Sequence, residues 1–188
     1  TIKKISVGSK VILSRLTGHS FPLSVLIAIT NRCNFRCKYC NYPYRDPRNP
    51  SFEQLTKLIR EFVNLGTLRF SFQGGEPLLR PDIKDILLFT KNLGVATSMI
   101  SNGKLVPERL DVIRLLDEAC ISLDGPEEVM EANRGINTFQ WAAEACRILK
   151  EEGIHFHLNC VLTKNNTNVE TVRFLLEFAK KHGTRCVF

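Results

Sequence analysis

The chain has 188 residues, 44% of them hydrophobic and 24% charged, which suits one globular domain around a single core and excludes a disordered polymer. Its formal net charge of +7 is spread along the sequence with no run of five like charges, so charge alone singles out no nucleic-acid or membrane ligand. Seven cysteines, three within eight residues and four scattered singly, exclude a secreted disulfide framework and point to a reducing, cytoplasmic compartment with a metal site.

Residues 1–22 read as an N-terminal extension. Their apolar segment is too short to span a bilayer, and Lys10 and Arg15 interrupt it where a signal peptide needs an unbroken run. The stretch fits a short basic amphipathic helix, which either packs on the domain or makes a peripheral contact with a membrane or partner. From residue 23 onward, apolar β-branched runs recur at 23–30, 67–73, 95–101, 118–124 and 154–162, and a sixth begins near Thr184. Amphipathic stretches of helical length separate them. Ser51 and Gln54 form a capping-box pattern, Pro81 suits a first helical turn, and Gly66, Gly94, Gly153 and Gly183 each follow a helical stretch. The alternation predicts parallel strands joined by right-handed helical crossovers.

Four of the strands carry a clear period-2 signal, and the third, 95–101, is less clean. Val25, Ile27 and Ile29 alternate with Ser24, Leu26, Ala28 and Thr30; Leu68, Phe70 and Phe72 with Arg69, Ser71 and Gln73; Ile121 and Leu123 with Cys120, Ser122 and Asp124; Phe156, Leu158 and Cys160 with His155, His157 and Asn159. Central strands of an open sheet covered on both sides would be apolar on both faces, whereas a barrel with helices only outside keeps a polar interior. The expected fold is therefore α/β, a partial (β/α)6 TIM-like barrel of parallel strands with helices outside. A full barrel needs roughly 250 residues; this chain starts without Met and stops inside its sixth strand, so it reads as a portion of something longer.

After the first strand, TNRCNFRCKYCNYPYR places Cys33, Cys37 and Cys40 at C-x3-C-x2-C spacing, three soft ligands within reach of one inorganic centre. Structural zinc would need a fourth ligand, with only the distant His19 on offer. A ferredoxin-type carrier would need a nearby fourth cysteine, and the next is Cys120. Three thiols leave one iron of a 4Fe-4S cluster open to an outside ligand.

The segment CNFRCKYC, with Tyr39 just before the third cysteine, resembles the cluster motif of the radical S-adenosylmethionine superfamily. The resemblance implies a 4Fe-4S cluster on Cys33, Cys37 and Cys40 whose open iron chelates S-adenosylmethionine, with Tyr39 near the adenine. It implies reductive cleavage to methionine and a 5'-deoxyadenosyl radical that takes hydrogen from a substrate. Other strand ends fit the same family. Gln73-Gly74-Gly75-Glu76-Pro77 resembles the segment that receives the cofactor's amino group, with Glu76 as acceptor, although the family often has Thr where this chain has Gln73. Ser101-Asn102-Gly103 resembles T-N-G. Ser122-Leu123-Asp124-Gly125 is similar to the S-L-D-G of the branch containing peptide maturases, haem-biosynthesis enzymes and the molybdenum-cofactor cyclase. That branch often continues with His-Asp, replaced here by Met130-Glu131, and then Arg-Gly, retained as Arg134-Gly135.

Carried over residue by residue, the cofactor-binding set is Tyr39, Gly74, Gly75, Glu76, Ser101, Asn102, Ser122, Asp124, Arg134 and Asn159; Arg134 would meet the methionine carboxylate, and Asn159 or Asn165 the ribose or substrate. The domain would span 23–188, truncated at its C-terminus. The implied partners are an electron donor such as a flavodoxin or ferredoxin and a small-molecule, lipid or peptide substrate; no nucleic-acid-binding motif accompanies the charge. The rival class is a non-catalytic iron-sulfur carrier or zinc-binding module. Cys120, Cys146, Cys160 and Cys186 read as buried core, and Trp141 with the phenylalanines likewise. Arg69, Ser71, His155 and His157 should lie deeper in the barrel than the motif residues, as substrate contacts or as hydrogen-bonded interior groups.

Overall fold

The computed structural model describes residues 9, 12, 16, 18, 21–46 and 48–188. The expected N-terminal amphipathic helix, with Lys10, Arg15 and the rejected ligand His19, lies outside them apart from isolated positions. Six parallel strands follow in chain order: β1 (Ser24–Thr30), β2 (Arg69–Gly74), β3 (Ala96–Ser101), β4 (Glu118–Ser122), β5 (Phe156–Asn159) and β6 (Cys186–Val187). They hydrogen-bond in the order β1-β2-β3-β4-β5-β6, so every connection is a crossover to the next strand along. The helices are α1 (Phe52–Asn64), α2 (Ile83–Asn92), α3 (Leu110–Ile113), α4 (Glu127–Arg134), α5 (Thr138–Glu151) and α6 (Val169–His182). The fold is the expected α/β partial barrel.

Helix ends follow local chemistry. The Ser51 side chain accepts from the Gln54 N–H while the Gln54 side chain accepts from the Ser51 N–H, closing the capping box of α1. Asn168 caps α6 through the Thr171 N–H, and Gly183 ends it in the left-handed conformation. Pro81 stands one residue before the N-cap Asp82 rather than inside the first turn of α2, because Arg80 clamps Asp82 there with two hydrogen bonds.

The core lies outside the barrel. Ile27, Ile29, Phe70, Phe72, Met99, Ile121 and Leu158 on the outer strand faces pack with Leu55, Ile59, Ile86, Leu87, Ala145 and Leu149 of the helices. Each fully buried aliphatic or aromatic side chain contributes about 1.5–3 kcal/mol of transfer free energy. The opposite parity faces inward, and register places Ser71 beside Ser98, Cys120 beside His157 and Ser122 beside Asn159. Because the helices claim the apolar face, the interior is free to be polar.

Candidate functional site

The loop after β1 is built around one apolar side chain. Phe35 is buried and packs on Trp141 of α5 at 5.4 Å between ring centroids. Around that anchor, the Phe35 N–H donates to the Cys33 thiol at 3.4 Å, the Cys40 N–H to the Cys37 carbonyl, and the Lys38 N–H to the Asn133 carbonyl of α4. The Asn102 side chain at the end of β3 donates to Asn34 at 2.7 Å. Sequence reading gave Phe35 and Trp141 no role beyond core; the signal available was an apolar residue inside an otherwise polar loop.

Gly74 and Gly75 hold β2 against the start of this loop. The Gly75 N–H donates to the Thr30 carbonyl at 2.7 Å, and the Glu76 N–H to the Arg32 carbonyl at 2.8 Å. A Cβ on Gly74 would stand 2.1 Å from the Thr30 oxygen, and one on Gly75 2.0 Å from the Arg32 oxygen. No side chain fits at either position, so both glycines are needed for close backbone approach.

Of the thirteen residues marked out in the sequence, eleven line one cavity of about 200 Å³: Cys33, Cys37, Tyr39, Cys40, Gly74, Gly75, Ser101, Asn102, Ser122, Arg134 and Asn159. Gln73 and Val161 join them. Glu76 and Asp124 lie behind the wall, each with 0% exposure. Asn165 does not reach the cavity and bonds Asn133 instead. Its neighbour Asn166, unmarked by any motif, is buried and bonds the carbonyls of Asp124 and Val161 and the N–H of Thr163, holding the turn after β5.

The two buried carboxylates are satisfied differently. Asp124 accepts from Arg134 Nε and Nη2 at 2.8 Å each, from the Tyr39 hydroxyl at 2.8 Å and from the Val161 N–H at 3.1 Å. Burial works against the Arg134 charge, but the Asp124 carboxylate outweighs it and holds the guanidinium pKa above its ordinary value. Burial likewise raises the Tyr39 hydroxyl. Met130 fills the space beneath, its sulfur 3.2 Å from the Asp124 N–H. Glu76 accepts from the N–H groups of Asn102 and Leu78 and from the Ser101 hydroxyl at 2.8–3.1 Å. Among the described residues no cation faces it, and burial pushes its carboxyl up to about 7 against those three donors.

The donor set suits an iron-sulfur cluster. Among the described residues no three Cys, His, Asp or Glu side chains converge on one ion-sized position, as a single zinc would require. The three thiols instead ring a cavity, as ligands of different irons in one cluster do. Burial raises the Cys33 thiol, and raises Cys37 to about 11 despite the nearby Arg134. Buried neutral thiols of this kind lose their protons when a cationic centre binds.

A larger cavity of about 420 Å³ opens at the other end of the barrel, lined by Arg69, Glu118, His155 and Arg185 among others. There Glu118 is met by Arg69, by Arg185 at 2.6 Å, and by His157 Nδ1 at 3.1 Å in a contact too bent to be a hydrogen bond. Of the four residues expected deeper in the barrel, Arg69 and His157 lie toward this end against Glu118 and Ser71 is half-buried, whereas His155 is exposed. Arg69 and Arg185 spend their charge on Glu118.

The family model of the Radical SAM superfamily matches residues 27–179. A PqqA peptide cyclase of Streptomyces rochei is 31% identical over 152 residues, 77% of this chain and 42% of that protein. An AdoMet-dependent heme synthase of Nitratidesulfovibrio vulgaris is 30% identical over 157 residues, again 77% and 42%. In three dimensions the chain is similar to Streptococcus suis SuiB bound to S-adenosylmethionine, with TM-score 0.78 and 23% identity over 91% of this chain and 41% of that one. The chain thus spans about two fifths of the length of these relatives.

Proposed function

The chain belongs to the radical SAM superfamily, and on that premise we propose that it is the catalytic core of an enzyme that cleaves S-adenosylmethionine reductively and turns the resulting radical on a substrate. One observation carries the reading: three thiols, a glycine pair and an arginine share a cavity backed by a buried carboxylate that lacks a cation. Cys33, Cys37 and Cys40 would hold the cluster, which when bound supplies the electron that splits the cofactor into methionine and a 5'-deoxyadenosyl radical.

The remaining residues position the cofactor. Glu76, fixed by Asn102, Ser101 and Leu78, brings negative charge to one end of the cavity, and the cofactor's amino group is the cation it lacks. Arg134 spends Nε and Nη2 on Asp124, which leaves Nη1 to receive the methionine carboxylate. Tyr39, tied through its hydroxyl to the same Asp124, presents a fixed ring to the adenine. Ser122 and Asn159, side by side across β4 and β5, offer hydrogen bonds to ribose.

An electron donor such as a flavodoxin or ferredoxin completes the scheme. The relatives' names span a peptide cyclase and a heme synthase, so the shared core serves unlike substrates, and a small molecule, a lipid or a peptide fits this chain equally. All seven cysteines are unpaired, which supports a reducing, cytoplasmic compartment; among the described residues no helix is long and apolar enough to cross a membrane. Anaerobic reconstitution should load about four irons per chain, and dithionite with S-adenosylmethionine should then yield 5'-deoxyadenosine by chromatography. Stoichiometric zinc with no visible absorbance would overturn the reading.

A further inference from the structure

Part of the net positive charge gathers in the cysteine loop. Between residues 32 and 48 stand Arg32, Arg36, Lys38, Arg45 and Arg48 against the single acid Asp46, four of the chain's seven net positive charges. All five cations are exposed, and among the described residues only Arg48 pairs with an acid, Asp46. Arg36 donates to the carbonyls of Cys33 and Phe35, and Arg45 lies over the Tyr42 ring at 4.6 Å. Elsewhere some surface cations meet carboxylates, Lys84 with Asp111, Arg114 with Glu152 and Arg147 with Glu144 and Glu151, and exposed ones without such a pair, such as Lys57 and Lys180, stand away from the thiols on helices. What distinguishes the cysteine loop is four net positive charges within 17 residues beside the thiols, a local patch of positive field.

Its shape adds a second observation. Arg32, Arg36 and Arg45 line a hollow of about 390 Å³ together with Pro43, Leu79 and Cys33. The lining of the basic hollow thus includes one of the three thiols, Cys33, which also lines the cofactor cavity. Tyr44, 72% exposed beside Arg45, supplies the aromatic-next-to-arginine composition that protein interfaces favour.

We propose that this hollow is the docking surface for an acidic one-electron carrier protein, which reduces the cluster through the Cys33 side. The inference rests on the enzymatic reading above. Each cleavage consumes one electron: the carrier, a flavin hydroquinone or a reduced iron-sulfur protein, is oxidised by one electron, the sulfonium charge is cancelled as its bond to the 5' carbon breaks, and methionine leaves with no proton transferred. Electron transfer weakens steeply with distance, so the carrier must seat against the cysteine loop, and that is where the unpaired arginines lie. Complementary charge there would speed encounter and fix register.

The test uses the reconstituted protein and an acidic flavodoxin as probe, with binding read from flavin fluorescence. Parent protein should bind, with affinity falling as salt rises. Arg32→Glu with Arg45→Glu should weaken binding at least about tenfold and flatten the salt dependence. Lys57→Glu with Lys180→Glu, exposed positions on α1 and α6, changes net charge equally and should leave binding near the parent value. Circular dichroism and dithionite-driven 5'-deoxyadenosine formation, retained in the loop variant, show that its fold and cluster survive. Equal weakening in both double variants, or none in the loop variant, overturns the docking surface. An RNA oligonucleotide that binds more tightly than flavodoxin with the same dependence on Arg32 and Arg45 also overturns it. A parent that forms no 5'-deoxyadenosine with dithionite overturns the enzymatic reading itself, whatever flavodoxin does.

Discussion

At the floor of the barrel Glu118 is ringed by Arg69, Arg185 and His157; at the mouth Glu76 is more deeply buried, accepts three hydrogen bonds and meets no cation among the described residues. Burial pushes both carboxyls up. At Glu118 the Arg69 hydrogen bond and the neighbouring His157 outweigh it and hold the group below its ordinary value, whereas at Glu76 burial wins and the group rises to about 7. A charge neutralised within the chain has done its work when the chain folds. One left without a counter-charge is an opening for a ligand. The same contrast recurs at the mouth itself, where Asp124 is consumed by Arg134 and Tyr39 and so acts by positioning them.

The largest break in this contrast should come from the thiols. Alanine at Cys33, Cys37 or Cys40 is expected to abolish cluster loading, read as iron and sulfide per chain, while circular dichroism remains parental, because no other residue of the loop can replace a soft ligand. Next, Asp124→Ala leaves the Arg134 guanidinium buried without its partner. It should cost about 3–5 kcal/mol in denaturant unfolding, and a loss below about 1 kcal/mol would mean that the guanidinium regains water or another partner once Asp124 is gone.

Glu76→Gln should keep the cluster and weaken S-adenosylmethionine binding roughly tenfold, the scale of one charge-assisted hydrogen bond, as read by equilibrium dialysis. The two carboxylates should also respond to pH in opposite directions. A carboxyl raised in the fold stabilises fully below its unfolded value, and that contribution is lost as pH climbs through the folded value; for Glu76 the window runs from about 4.5 to about 7. Without cofactor, parent stability should decline across that window, and Glu76→Gln should lose the decline. Glu118, held low, contributes above its unfolded value and loses the contribution as pH falls below about 4.5. Glu118→Gln should flatten that acid limb. Its cost at neutral pH should be only about 0.5–1 kcal/mol, since Arg69 and Arg185 are 41% and 65% exposed and solvent screens them. The smallest effect is expected for His157→Ala: unchanged iron content, unchanged 5'-deoxyadenosine without substrate, and a melting temperature lower by a degree or two, on the order of a few tenths of a kcal/mol. If the ratio of product to 5'-deoxyadenosine falls instead, the floor takes part in holding substrate.

Much of this arrangement was legible in the chain. Strand order, inward parity and the cysteine loop follow from period-2 alternation and spacing, which are local properties of side chains and backbone. The clustering of CNFRCKYC, QGGEP, SNG and SLDG at one end follows as well, since parallel strands joined by helices all finish on the same side.

The partners of those residues were not legible. Tyr39 and Asp124 are 85 positions apart, and their bond depends on the rotamers of a loop and a strand end that no periodicity specifies. The sequence marks Gly74 and Gly75 as cofactor-binding, but only the structure sets the Thr30 and Arg32 carbonyls about 2 Å from where a Cβ would stand. Phe35 against Trp141, and Asn166 beneath Asp124, are likewise contacts between elements distant in sequence. By itself the sequence determined which residues reach the mouth of the barrel, because strand period and loop spacing are written in neighbouring residues. Only the tertiary structure decided which of them are spent on one another and which face the cavity, because burial, counter-charge and hydrogen-bond direction are set by side chains that meet only after the strands are packed.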